Sequence, residues 1–179
     1  VSLMAIMPSL PVMQQLDVTS KTLVSSTWLA ARWLAFLVLG ATVWWHTRPR
    51  LLLGGAVVML VAFLGVTIRP SDMLGGAIPW RLDLLSMILF QLAMGACMGL
   101  IYAASLYFGM VLSDGSTEHG GYHEALIGLG CVVGPGSAAA VQWIWPGQLV
   151  YSVAAVAAVL VVSIASAGVA TVVLSRRRL

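Results

Sequence analysis

Five apolar runs of membrane-spanning length divide this chain, and they constrain its fold more than any other feature. A helix needs roughly 20 mostly apolar residues to cross the hydrocarbon core of a bilayer. The five runs cover residues 23–45, 51–68, 84–112, 124–145 and 149–174. Proline, glycine or charge falls between them, where helices are expected to stop. The pattern predicts an all-α fold, a polytopic transmembrane helix bundle with five full spans in one membrane domain.

The composition supports the same fold class. Of the 179 residues, 60% are hydrophobic and only 8% are charged, and the mean hydropathy is +1.00. A soluble domain carries about 25% charged residues, so this chain has too few to coat a water-facing surface. Most of the net charge of +3 comes from Arg48, Arg50 and a cluster at 176–178, which is too small for a nucleic-acid footprint. We therefore expect a lipid bilayer around the chain and no nucleic-acid partner.

Residues 1–16 differ from the five spans. The segment is apolar but too short to cross a bilayer, it contains Pro8 and Pro11, and it lacks the basic leader of a signal peptide. We interpret it as a partial helix, the end of a helix whose first part is missing. A short interfacial segment is the alternative.

Lysines and arginines in the short loops predict the orientation, because cytoplasmic loops carry an excess of them. A cytoplasmic C-terminus places Arg48, Arg50 and the three arginines at 176–178 inside. Lys21, Arg69 and Arg81 then lie outside. Five basic residues inside against three outside favour a cytoplasmic C-terminus for this integral membrane protein.

Arg32 is the charged residue nearest the middle of a span. A charge at that depth costs about 2.5–3.5 kcal/mol on insertion and normally faces a bundle interior or a wet cavity. Trp28 and Phe36, one turn to either side, could stack on its guanidinium group. A structural role and a functional role both remain open. The expected counter-charge is a substrate anion, a backbone carbonyl, or a residue outside this chain.

Small and polar residues recur along one face of the third span. Gln91, Gly95, Gly99, Tyr102 and Ser105 follow each other at steps of three or four, which places them on one side of a helix. We expect Gln91 and Tyr102 to line a cavity with Arg32. We expect Gly95 and Gly99 to serve helix packing or hinge motion, because small residues let membrane helices approach closely.

In the fourth span, Gly130, Gly134 and Pro135 combine a small-residue contact with a proline that removes one backbone hydrogen bond. Backbone left unpaired in this way must face protein or water, not lipid. The pattern indicates helix packing, and a hinge at the proline is compatible with it.

Residues 113–124 carry two histidines, His119 and His123, with Glu118 and Glu124 beside them. Two glycines lie between the histidines and argue against a helix, so we expect a solvated loop and no metal site. Glu124 is expected to act as a favourable charge at the start of the fourth span. His123 and Glu124 are also candidates for gating or proton coupling. No catalytic motif appears, so we expect neither an enzyme nor a cofactor.

The order of these features resembles the C-terminal half of a major facilitator superfamily transporter. The resemblance covers nearly the whole chain and rests on three short patterns: Gly40 followed by Arg48, Pro49 and Arg50; Gly95 and Gly99 with Tyr102; and residues 130–136. Two departures stand out. The acidic residue of the family's loop motif is missing, and Ala138 and Ala139 replace a closing glycine pair, so an antiport mechanism is not implied.

The resemblance implies a six-helix half that works by alternating access around a site near the midplane. It implies a small-molecule solute, coupling to protons or sodium, and location in a bacterial cytoplasmic (inner) membrane. It also implies a partner, either a missing N-terminal half or a second half-transporter. The expected function is secondary active transport of an unidentified solute. A non-catalytic membrane scaffold or assembly subunit is the main alternative, and an intramembrane enzyme is a third.

Overall fold

The computed structural model describes residue 7 and residues 10–76 and 79–176, with side chains as far as residue 169. Half of the predicted partial helix over 1–16 lies outside this part of the chain. Within it, only the short helix α1 (Pro11–Gln14) is present. Arg177 and Arg178 also lie outside the described residues.

The described chain is helical and contains no strand. After α1 come α2 (Val18–Gly40), α3 (Arg50–Thr67), the short α4 (Pro70–Met73), α5 (Trp80–Leu112), α6 (Thr117–Ile144) and α7 (Leu149–Arg176). The five long helices are each long and apolar enough to cross a membrane. The prediction of an all-α, polytopic bundle is confirmed.

The first long helix is shifted relative to the predicted span. α2 begins and ends five residues before the apolar run 23–45. It begins early because the side chain of Asp17 accepts hydrogen bonds from the backbone N–H groups of Thr19 (3.0 Å) and Ser20 (3.2 Å), which satisfies two free donors of the first turn. Hydrogen bonds from Ser20 are the main cause that lowers the pKa of Asp17. The cap therefore weakens only as the pH falls through that lowered pKa.

The last turn of α2 is closed by a tryptophan. The indole N–H of Trp45 donates to the carbonyl oxygens of Leu39 (3.0 Å) and Thr42 (2.9 Å). Carbonyls at a helix end need such partners. The chain therefore leaves the helix before the apolar run is finished.

A buried carboxylate holds the start of α5. Asp83 is 5% exposed and accepts hydrogen bonds from the backbone N–H (3.0 Å) and the hydroxyl (2.6 Å) of Ser71. Burial of a charge is tolerated when hydrogen bonds satisfy it. This pair ties the short helix α4 to α5 and explains why α5 begins at Trp80, four residues before the predicted span.

The five long helices form two groups. α5 lies at the centre of the first group and packs along its length against α2 and α3, while α6 packs mainly against α7. The groups meet where α7 contacts α3 and, over a smaller area, where α6 contacts α5. A cleft therefore remains between the α2–α5 pair and α6.

Two glycines of α5 set the spacing between α5 and α2. A Cβ atom at Gly95 would collide with the carbonyl oxygen of Trp28, and one at Gly99 would lie 2.8 Å from the Cβ of Ala35. Both glycines are buried. Close approach of this kind is how membrane helices gain packing energy in the absence of a hydrophobic drive.

Replacing Gly95 with alanine should destabilise the bundle. The added methyl group meets backbone atoms, which cannot rotate away, so we expect the free energy of unfolding to fall by about 1–3 kcal/mol. Gly54→Ala is the matched control, because a Cβ at Gly54 meets nothing within 4 Å. Thermal unfolding in detergent measures both. Equal midpoints for the two variants would show that α2 and α5 are not held this closely.

Candidate functional site

The cleft between the two helix groups encloses a cavity of about 520 Å³. This volume lies within the ~300–1,000 Å³ that is usual for small-ligand sites. Its wall is mostly apolar, with Trp28 and the side chains of Met59, Met98, Ile101, Leu126, Ile127 and Leu160. The polar atoms come from Arg32, Tyr102, Ser105, His123 and Cys131. A cavity of this kind suits a ligand with an apolar body and one charged or polar group.

Arg32 supplies the only formal positive charge of that lining in the described part of the chain. Its guanidinium carbon lies 5.4 Å from the ring centre of Phe36 and 5.5 Å from that of Tyr102, within range of cation–π attraction. Phe36 was expected there from the sequence, whereas Tyr102 reaches it from α5. Within the described residues, the buried Nε of Arg32 has no hydrogen-bond partner and no carboxylate forms an ion pair with this arginine. The guanidinium charge is stacked but not neutralised.

A chain of hydrogen bonds joins α5 to α6 at the edge of the cavity. The Tyr102 hydroxyl donates to Oε1 of Glu124 (2.7 Å). The Ser105 hydroxyl donates to the Tyr102 carbonyl (3.0 Å) and lies 2.8 Å from Nε2 of His123. Nδ1 of the same histidine lies 3.4 Å from the carboxylate of Glu124. These bonds connect the two helix groups where the contact between α5 and α6 is small.

The hydrogen bonds at His123 have two possible directions, because the donor and acceptor roles of its ring nitrogens depend on the tautomer. With the Ser105 hydrogen on the Tyr102 carbonyl, Nε2 of His123 donates to Ser105; with that hydrogen on Nε2, Nδ1 donates to Glu124. Both arrangements place an imidazole and a carboxylate side by side at the cavity edge.

Gln91 is not among the residues that line this cavity, so its role as a cavity residue stays a prediction. Gln91 and Tyr102 share a face of α5, but eleven residues separate them, about 16 Å along the helix axis. Gln91 is fully buried. Its amide atoms, like the indole N–H of Trp28, have no hydrogen-bond partner in the described part of the chain. A shared helix face therefore did not mean a shared cavity.

The glycines and the proline of α6 occupy different surroundings. Gly130 lines the cavity, and a Cβ atom there would meet nothing within 4 Å, so it makes no close helix contact. Gly134 is buried and accepts a hydrogen bond from Ser137 at its carbonyl (2.8 Å). Pro135 lies inside α6, which continues beyond it to Ile144. Neither Gly134 nor Pro135 belongs to the cavity lining.

The expected loop over 113–124 is mostly helix. Asp114 and Gly115 have positive φ angles of 51° and 78°, and α6 begins directly afterwards at Thr117. Glu124 therefore lies two turns inside the helix, not at its start. Two glycines inside a helix cost about 1 kcal/mol each. Packing of His119 against α5 offsets that cost. Its ring lies so close to Gly109 that a Cβ atom at Gly109 would collide with it. Among the described residues, no group of three or more His, Cys, Asp and Glu side chains could hold a metal ion.

Three contributors to the site, Ser105, Met59 and Met98, were not among the residues expected to line the cavity. Ser105 bonds to His123, and its position one turn after Tyr102 was a signal for it. The methionines Met59 and Met98 line the cavity from α3 and α5. Nothing in their spacing distinguishes them from core residues.

The chain matches no protein-family model, no curated protein and no solved structure. The resemblance to the major facilitator superfamily therefore rests on the sequence motifs alone.

Removal of the Tyr102 hydroxyl should loosen the link between α5 and α6. Tyr102→Phe keeps the ring beside Arg32 but removes the donor to Glu124. We expect several-fold faster amide hydrogen exchange over residues 117–128, with little change in α2. Tyr107→Phe is the matched control, because Tyr107 stacks on His46 (4.1 Å between ring centres) and not on α6. If both variants exchange like the wild type, the hydrogen bond does not hold α6 in place.

Proposed function

We propose that this chain is part of a secondary transporter that moves a small organic anion through the cavity between α2, α5 and α6. The observation that carries the proposal is the Arg32 guanidinium, which lines the cavity in mid-helix with a buried Nε that has no partner among the described residues.

The charge state of Arg32 favours an anionic solute. Aromatic rings attract a cation, but they do not neutralise it, and an arginine far inside a transmembrane helix normally pairs with another group. A carboxylate that enters the cavity would restore this pairing with charge-assisted hydrogen bonds. The apolar wall suits a hydrocarbon or aromatic body attached to that carboxylate. The proposed solute is therefore an amphipathic organic acid.

The arrangement of the helices supports a transport function for this site. The two helix groups meet where α7 contacts α3 and, over a smaller area, where α6 contacts α5, and hydrogen bonds of Tyr102 and Ser105 cross the smaller contact. A few hydrogen bonds can be exchanged more easily than a packed apolar core. We propose that the α6–α7 group moves relative to α5 during the transport cycle, and that the His123–Glu124 pair carries the coupling proton.

A complete cycle needs further helices to close the cavity from its open side. In transporters with alternating access, two repeats rock about a central site. We propose that the second group of helices comes from a partner half or from a second copy of this chain. The resemblance to a half of a major facilitator superfamily transporter agrees with this proposal, and we propose the location that it implies, a bacterial cytoplasmic (inner) membrane.

Matched pairs of acids and amides test the proposal. A bound solute raises the midpoint of thermal unfolding by mass action, so aliphatic and aromatic carboxylates should stabilise the purified chain and their neutral amides should not. Vesicles that contain the complete gene product should accumulate the same carboxylates. If no carboxylate stabilises the chain and the vesicles take up none, the proposal fails and a scaffold function replaces it.

A further inference from the structure

A second cleft, of about 630 Å³, opens where α3 begins, between α3 and α5. Its two ends differ in chemistry. Arg48 and Arg50 stand at the mouth, and the floor is formed by Gly54, Gly55 and Val58 of α3 with Leu100 of α5. The cleft is separate from the cavity at Arg32, because the two share no lining residue in the described chain.

We propose that this cleft binds one anionic phospholipid, with the headgroup phosphate at Arg48 and Arg50 and an acyl chain along α3. The site is independent of the proposed transport function. Basic pockets at the ends of transmembrane helices are suited to anionic headgroups, and Arg48 and Arg50 supply two positive charges within three residues.

The two arginines are available to an anion. In the part of the chain that the structure describes, neither forms an ion pair with a carboxylate. The first turn of α3 contains no acidic residue. The guanidinium carbon of Arg48 lies 5.7 Å from the centre of the Trp44 ring, which restricts its position at the mouth of the cleft. The local charge is therefore positive and uncompensated.

The depth of the cleft distinguishes a lipid from a soluble anion. Arg50 is the first residue of α3, and Val58 lies about 12 Å further along the axis of this spanning helix. A Cβ atom at Gly54 would meet nothing within 4 Å, so the absence of a side chain leaves an open trough there. A free phosphate would bind at the arginines and leave this apolar floor empty. A phospholipid fills both ends at once.

Native mass spectrometry tests the site. The full chain is mixed with defined lipids in detergent, and the lipids that stay bound after release from the detergent are counted. We expect several-fold more bound phosphatidylglycerol than phosphatidylcholine. The double variant Arg48→Gln/Arg50→Gln should lose this preference. Arg81→Gln is the control for charge, since Arg81 is an exposed arginine at the start of α5 and lies outside the cleft.

A second pair of variants tests the apolar floor. Gly54→Leu should fill the trough and reduce lipid retention several-fold with both arginines intact. Gly128→Leu is its control, because Gly128 is a helical glycine with equally open surroundings on α6. An excess of inorganic phosphate should not displace the lipid. Equal retention of the two lipids, full retention by Gly54→Leu, or displacement by phosphate would each overturn the proposal.

Cys97 gives a readout in a chain that keeps every other lining residue of the cleft unchanged. Its side chain lines the cleft and is half-buried. In Cys131→Ala vesicles, a membrane-permeant maleimide should label Cys97 several-fold more slowly with phosphatidylglycerol than with phosphatidylcholine. Equal labelling rates would show that no anionic lipid occupies the floor.

Discussion

Arg32→Ala is expected to abolish uptake of the anionic solute while the protein stays folded and inserted. Within the described residues, the guanidinium is the only Lys or Arg group that lines the cavity. Loss of a buried, hydrogen-bonded charge partner costs about 2–5 kcal/mol of binding, and the lower figure alone corresponds to about 30-fold weaker binding. Uptake of labelled carboxylate by vesicles measures the effect.

Two control variants separate the charge of Arg32 from its place in the fold. Arg32→Lys keeps a positive charge but loses the planar group that stacks on Phe36 and Tyr102, so we expect partial uptake. Arg81→Ala removes an exposed arginine outside the cavity and should transport normally. Unchanged uptake by Arg32→Ala, with normal insertion, would remove Arg32 from the site.

Gly130→Leu is expected to block the cavity and reduce uptake at least tenfold. Gly130 lines the cavity, and a side chain added there enters open space. The fold should therefore tolerate the leucine, while the cavity loses part of the volume that the solute would occupy. The variant should unfold thermally near the wild-type midpoint, and carboxylates should no longer raise that midpoint.

Gly128→Leu is the matched control for this experiment. It adds the same side chain to the same helix two residues earlier, also in open space but outside the cavity lining. We expect normal uptake from Gly128→Leu. Equal uptake by the two variants would show that the solute does not pass beside Gly130.

The number and type of the helices could be predicted because bilayer thickness fixes the length of an apolar run. The ends could not be predicted as closely. They depend on single polar side chains, such as Asp17 at the start of α2 and the Asp83–Ser71 pair at the start of α5. Hydropathy averages do not detect such bonds, so the apolar runs misplaced both ends of α2 by five residues, the start of α5 by four and the start of α6 by seven, whereas the other ends agree within two residues.

The candidate site was predictable only in part, for a geometric reason. Helical spacing placed Gln91 and Tyr102 on one face, but not at one depth. The contact of Tyr102 with both Arg32 and Glu124 depends on how α2, α5 and α6 are arranged. The glycines at 120 and 121 predicted a loop, and tertiary packing of His119 on Gly109 opposed that propensity.

The reactivity of Cys131 tests the central claim, that a solute path runs through the cavity at Arg32. Cys131 lines this cavity and is exposed. In a Cys97→Ala background, with open membrane fragments that expose both sides, a charged, membrane-impermeant thiol reagent should label it. A carboxylate solute should slow that labelling, and Arg32→Ala should remove the protection. Labelling by membrane-permeant reagents only, or at a rate that no carboxylate changes, would contradict the account.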